Sequence, residues 1–113
     1  MQAFSSTLIE SLDKLRRTAR QSNHRFLVVV NGDQAWCYQF LQQYIQEIDD
    51  QQNLFVSSRE QAGCISVAYD KADRYLGNEF DNIIYDAFSG LYPSIFALTE
   101  GALRGGGLMF LLT

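Results

Sequence analysis

Asp81-Asn-Ile-Ile-Tyr-Asp86, then a turn at Ser89-Gly90, a helix entered at Pro93, and Gly105-Gly-Gly-Leu-Met-Phe-Leu-Leu-Thr113 form the stretch whose reading decides the fold. The apolar run ending in a carboxylate predicts a buried strand. Pro93 predicts a first helical turn, where its missing N–H would be unpaired anyway, and the glycines predict a helix-ending turn into a second buried strand. That sequence of elements is one βαβ unit. Two buried strands joined through a helix lie parallel, and parallel strands need cover on both faces. The expected fold class is α/β: a three-layer Rossmann- or flavodoxin-like domain with a mainly parallel sheet of about four or five strands. Because the chain stops on a buried strand, the sheet is expected to be incomplete at its C-terminus, and to be completed or covered by a later part of a longer polypeptide. The helix from Pro93 is expected to bury Ile95, Phe96, Ala102 and Leu103. Gly101 falls inside it and implies a close-packed neighbour that offsets its cost of about 1 kcal/mol relative to alanine.

Upstream, Leu8, Leu12, Leu15 and Ala19 recur on one face of a helix over residues 6–22, with Thr7 and Glu10 at capping-box spacing. Arg25 to Val30 is apolar on both alternations, which predicts an interior parallel strand. Asn31-Gly32-Asp33 turns into a helix whose stripe is Trp36, Phe40, Leu41, Tyr44, Ile45 and Ile48, with Asp33 as its cap. Leu54 to Ser57 reads as a short strand. Residues 63–68 fit either a strand or a helix start. Ala68, Ala72, Tyr75 and Leu76 repeat at helical spacing, and Gly77 is placed to end that helix.

A chain of 113 residues falls within the usual domain size of about 100–150 residues, and residues 1–113 are expected to form one α/β accessory domain of a larger protein. Hydrophobic residues make up 47% and charged residues 19%, which excludes a disordered chain. The longest apolar runs fall far short of the ~20 residues that span a bilayer. With neither a membrane segment nor a signal peptide in view, a cytoplasmic location and reduced Cys37 and Cys64 are expected.

Charge is unevenly distributed. Residues 1–25 hold five cations, Lys14, Arg16, Arg17, Arg20 and Arg25, against Glu10 and Asp13, a balance of +3; the total of −4 leaves −7 for the remainder. That acidic bulk argues against a domain that wraps nucleic acid by itself. Lys14, Arg16, Arg17 and Arg20 are the candidate RNA or partner contact, set against a solvated helix face with cations near its C-terminal end.

Asp33 and Asp86 are the candidate strand-edge ligand site. In a parallel sheet both fall at the carboxyl edge, where α/β folds bind ligands, and two carboxylates there could hold Mg²⁺ or a sugar hydroxyl. Their structural roles would be a helix cap for Asp33 and loop ordering for Asp86. Neither G-x-G-x-x-G nor G-x-x-x-x-G-K-[ST] can be written, and the glycine triplet follows a helix instead of preceding one, so it is no phosphate cradle. His24 stands alone, and no residues have catalytic or metal-ligand spacing.

The stretch Leu76-Gly-Asn-Glu79-Phe80-Asp81, Ile84-Tyr85-Asp86-Ala87, Gly90-Leu91, Phe96-Ala97 and Glu100-Gly101-Ala-Leu-Arg-Gly105-Gly-Gly107, with its apolar strand to Thr113, resembles the N-terminal domain of the bacterial tRNA(Met) cytidine acetyltransferases. Val30 to Cys37 is similar to that family's first βα junction; Ala102 and Phe88-Ser89 depart from its pattern. The resemblance implies a parent enzyme that makes N4-acetylcytidine at the wobble position of elongator tRNA(Met), using acetyl-CoA and ATP or GTP. It also implies a helicase-like module of the same polypeptide as partner, and tRNA as a further contact. None of the catalytic motifs of such an enzyme lies within these residues, so the isolated domain is expected to hold no cofactor and to catalyse nothing. The alternative is a free-standing flavodoxin-like or receiver-like domain, with Asp86 as phosphoacceptor and Asp33 on Mg²⁺. A receiver wants adjacent acids after its first strand and a later lysine, and neither is found.

Overall fold

The computed structural model describes residues 6–47, 52–59, 64–75, 78–88 and 90–113. Helix α1 (Ser6–Ser22) is followed by β1 (Phe26–Val30), α2 (Gln34–Glu47), β2 (Asn53–Val56) and β3 (Ile65–Val67). A 3₁₀ helix (Tyr69–Tyr75), β4 (Phe80–Asp86), α3 (Pro93–Glu100) and β5 (Leu103–Leu112) complete the order. The five strands form one parallel sheet in the order β1-β5-β4-β2-β3. The βαβ unit expected from the last third of the chain is β4-α3-β5, and its strands are sheet neighbours.

Each face of the sheet carries its own apolar layer. On one side Leu12 and Ala19 of α1 and Phe40, Leu41, Tyr44 and Ile45 of α2 pack on Phe55, Ile84, Leu108, Phe110 and Leu112. On the other, α3 and the 3₁₀ helix cover Leu54, Val56, Ile83, Tyr85 and Met109, with Tyr69, Ile95 and Phe96 against them. The near-continuous apolar run of β4 follows from this double burial, since a parallel strand between two helical layers has no solvent face.

The glycine triplet lies inside β5, not in a turn before it. Between the pairs Phe80↔Leu103 and Asn82↔Leu108, β4 advances two residues while β5 advances five, so the triplet forms a bulge. Helix α1 sets that geometry. Asn23 adopts φ 57° just past α1, and the N–H groups of Asn23 and His24 reach back to the carbonyls of Arg20 (3.3 Å) and Ala19 (3.0 Å). This is a Schellman end with asparagine in the left-handed position. The finished helix end then lands on β5: Gly106 N–H donates to the His24 carbonyl at 3.1 Å, and Arg25 Nε donates to the Leu103 carbonyl at 2.8 Å. Gly106 has φ 87°, and a Cβ there would stand 3.0 Å from Arg20 Cα. On Gly107 a Cβ would come within 2.6 Å of the Asp81 carbonyl oxygen. The backbones approach too closely for any side chain.

Other expectations are corrected. Helix α3 ends at Glu100, with Gly101 as its C-cap in right-handed conformation. A Cβ on Gly101 would meet only the Leu98 carbonyl of its own last turn, at 3.3 Å, so no neighbouring element requires glycine there. Ala102 and Leu103 are buried as expected, but from the turn and β5 instead of the helix. The helix expected after Ala68 is 3₁₀, and residues 65–67 are strand. Strand β1 is at an edge of the sheet among the described residues, not in its interior, and Leu27 (53%) and Val29 (55%) are exposed. Its second apolar alternation is real, but no described element covers it. Gly77, Ile48 and the Thr7 side chain lie outside what is described.

Two glycine substitutions separate these roles. Gly106→Ala is expected to destabilise the protein by at least about 2 kcal/mol, through positive φ and contact with the α1 backbone. Gly101→Ala is expected to stay within about 0.5 kcal/mol of the parent. Urea midpoints at constant m-value measure both, and equal losses would contradict the assignment.

Candidate functional site

Parallel pairing brings Val56 beside Tyr85, so the next residues along, Ser57 and Asp86, meet at the carboxyl edge of β2 and β4. Asp86 is fully buried. Its Oδ2 accepts the hydroxyl of Ser57 at 2.6 Å and a short hydrogen bond from the hydroxyl of Tyr38 on α2. Its Oδ1 accepts Phe88 N–H at 3.0 Å, and its main-chain carbonyl accepts the hydroxyl of Tyr69 on the 3₁₀ helix. One residue at the end of β4 thereby ties together α2, β2, the 3₁₀ helix and its own loop. A buried carboxylate needs such donors, because removing it from water without them would cost several kcal/mol.

The periphery is cationic. Arg59 N–H donates to Ser57 Oγ at 3.1 Å, and the Arg59 guanidinium lies 5.0 Å from the centre of the Tyr38 ring, a cation–π distance. Burial, and then the hydrogen bond to Asp86, push the Tyr38 hydroxyl above its ordinary range. Tyr38 and Ser57 each donate a hydrogen bond to the same Asp86 oxygen, and Ser57 is only 2% exposed, out of reach of a substrate. Cys37 is no better. Burial, then Asp33 and Asp86, raise its thiol, which donates to the Val30 carbonyl at 3.6 Å. A low-pKa thiolate is what reactivity requires.

Asp33 takes a separate place. Its Oδ1 accepts Trp36 N–H at 2.8 Å, the N-cap of α2. Asp33 follows β1 and Asp86 ends β4, with β5 between them in the sheet, and both carboxylates act on the Cys37 thiol. Among the described residues no three His, Cys, Asp or Glu side chains group as a metal site would need. Among the described residues the carboxyl edge of this sheet is braced internally by the hydrogen bonds to Asp86.

The α1 cations divide. Asp13 pairs with Arg16 in a short contact and with Arg17 at 2.9 Å, while Lys14 and Arg20 are exposed. Tyr44 sits close by on α2. It is buried, its hydroxyl has no hydrogen-bond partner among the described residues, and burial pushes its pKa up to about 12, with smaller effects from Arg16, Asp13 and Arg20.

Sequence reasoning identified Asp86 and Asp33 but missed Tyr38, Ser57 and Tyr69. Ser57 carried a signal: it follows β2 as Asp86 ends β4, so pairing of those strands makes them neighbours. The tyrosines carried none beyond being polar-tipped aromatics.

The family model for the N-terminal region of tRNA(Met) cytidine acetyltransferase TmcA matches residues 1–113. The tRNA(Met) cytidine acetyltransferase TmcA of Nitrosococcus halophilus is 34% identical over 110 residues, covering 91% of this chain and 15% of the relative. Those of Vibrio cholerae and Salmonella typhimurium are 29% and 30% identical, each over 92% of this chain and 15% of the relative. The chain belongs to this family, and it spans about 15% of the length of these curated relatives.

Two outcomes test the site's energetics. Asp86→Ala leaves one buried and two half-buried donors without their acceptor and is expected to cost about 2–4 kcal/mol, against about 1 kcal/mol for Tyr38→Phe, measured by urea unfolding. Tyr44 titrates at about 12 when folded and near 10 when unfolded, so its contribution is complete below pH 10 and lost as pH rises toward 12. Tyr44→Phe should flatten the fall in stability across that window by roughly 2–3 kcal/mol; an unchanged slope would contradict burial of the hydroxyl.

Proposed function

We propose that this chain is the non-catalytic N-terminal accessory domain of an enzyme that acetylates the wobble cytidine of elongator tRNA(Met), with a module-docking or tRNA-contact role. The observation that carries this reading is the family match over residues 1–113. Its relatives are named tRNA(Met) cytidine acetyltransferases and are several times longer than this chain. The chemistry of the domain agrees: the Asp86 oxygens are engaged by Tyr38, Ser57 and Phe88 N–H, and the buried cysteine has a raised thiol.

In this reading acetyl-CoA and ATP or GTP are held by the parent outside these residues, a helicase-like module of the same polypeptide is the neighbour, and the enzyme works in the cytoplasm. Exposed Lys14 and Arg20 on α1 are the first choice for a phosphate contact. Arg16 and Arg17 are partly neutralised by Asp13 and contribute less. The Asp33 and Asp86 edge acts as a rigid end of the domain instead of a ligand site.

The test uses the full-length protein with acetyl-CoA, ATP and tRNA(Met). It is expected to acetylate the wobble cytidine, and Asp33→Asn is expected to leave turnover within about threefold, since asparagine keeps the N-cap oxygen and removes only the charge. Replacing Lys14 and Arg20 by Ala is expected to weaken tRNA binding and to lower the slope of log K against log salt by about 0.7–0.9 per lost phosphate contact. Absence of acetylation refutes the functional reading; an unchanged salt slope removes α1 from the tRNA contact.

A further inference from the structure

Strand β1 is half covered. Phe26, Val28 and Val30 face the α1–α2 layer, whereas Leu27 and Val29 point to the opposite side and are 53% and 55% exposed. Their partners in β5, Met109 and Leu111, belong to the layer beneath α3. That layer is therefore continued across β1 by two apolar side chains with nothing described above them. Between α3 and β1 the surface dips into a cleft of about 140 Å³ floored by Leu27, Leu103 and Met109, walled by Phe96, with Arg25 and Glu100 also lining it. An apolar strand face beside a helix, at the sheet's edge, is the shape left when one crossover helix is missing from a layer.

Handedness identifies which helix fits. The crossover β1-α2-β2 runs one way along the sheet with its helix on one face; β4-α3-β5 runs the other way with its helix on the opposite face. Opposite directions on opposite faces make the two crossovers the same hand, and about 98% of such connections are right-handed. Strand β5 ends beside β1, with Thr113 N–H on the Val30 carbonyl at 3.0 Å and Gly32 N–H on the Thr113 carbonyl at 3.4 Å. A chain that leaves there and continues past β1 repeats the direction of β4-α3-β5. Right-handedness then places its helix on the α3 face, over Leu27 and Val29. The other direction would require the helix on the face that α1 and α2 already occupy.

We propose that the exposed face of β1 is the docking site for the segment after Thr113 in the full-length polypeptide, an amphipathic helix whose apolar stripe lies on Leu27, Val29 and the cleft against Phe96. The curated relatives extend far beyond the portion that this chain spans, so such a segment is available. Helix–helix spacings of about 8–10 Å correspond to two strand widths, which sets a helix next to α3 above β1. With βα loops of about 2–6 residues, the helix begins within the first several residues after Thr113. If that helix leads into a strand, the free edge of β1 receives it. This deepens the module-docking reading and rests on it only in taking the chain as part of a longer polypeptide.

The test is made on the full-length protein. Val29 is replaced by the photo-crosslinker p-benzoylphenylalanine, and the captured peptide is identified by mass spectrometry. Capture of a peptide within about 30 residues after Thr113, in a product of monomer mass, is the expected result. Capture of a more distant segment, of a second copy, or of nothing overturns the proposal. Maleimide labelling gives an independent reading: Val29→Cys is expected to react at least tenfold more slowly than exposed Gln42→Cys, after subtraction of the parent protein's cysteines. Equal rates mean that the face is open and the proposal is wrong. Acetylation of tRNA(Met) is assayed on the same preparation, so an inactive protein with the expected crosslink refutes the functional reading and leaves the docking inference standing.

Discussion

The parallel pairing of β4 with β5 is the contact on which the rest of the molecule depends. Ile83, Ile84 and Tyr85 lie beside Met109, Phe110 and Leu111, and alternate side chains feed both apolar layers, so neither layer can form without this pair. The pair also sets where α1 can stand. Its Schellman end delivers His24 and Arg25 to β5 at the point where three glycines remove every side chain from the path. A helix at the start of the chain is thereby fastened to a strand at its end, with loop closure of nearly the whole chain offset by buried backbone hydrogen bonds and close packing.

At the carboxyl edge the same sheet makes a different use of a charged group. Asp86 gathers the hydroxyls of Tyr38, Ser57 and Tyr69 on its side chain and main chain, and so ties α2, the end of β2 and the 3₁₀ helix to the end of β4. Directional bonds to a buried carboxylate specify one arrangement where oily surfaces allow several. An edge where α/β proteins often bind ligands here is tied together by hydrogen bonds to Asp86.

Fold class was legible because it needed only local patterns: two apolar runs, a proline at a helix start, and the 3.6-residue stripes of α1 and α2. What was not legible depended on strand order. Phe26 to Val30 is apolar on both alternations, which suits an interior strand and equally suits an edge strand awaiting a cover; composition cannot separate the two. The glycine triplet reads as a turn because glycine commonly ends helices, and the close approach of α1 that demands it comes from about 80 residues away. Asp86 stood out by its place at a strand end, but the donors that determine its role come from α2, β2 and the 3₁₀ helix. Ser57 could be paired with it only once β2 and β4 were known to be neighbours.

Among the described residues the domain has a braced carboxyl edge at Asp86, a cationic face on α1 and an uncovered apolar face on β1. All of this presumes that β4 and β5 form the innermost unit. Native-state hydrogen exchange, read residue by residue in the full-length protein, tests that most directly. The amides of Ile83–Tyr85 and Met109–Leu111 should exchange slowest of all in this domain, at a free energy equal to its global unfolding. Exchange of those amides as fast as the amides of the edge strand β3 would contradict the account.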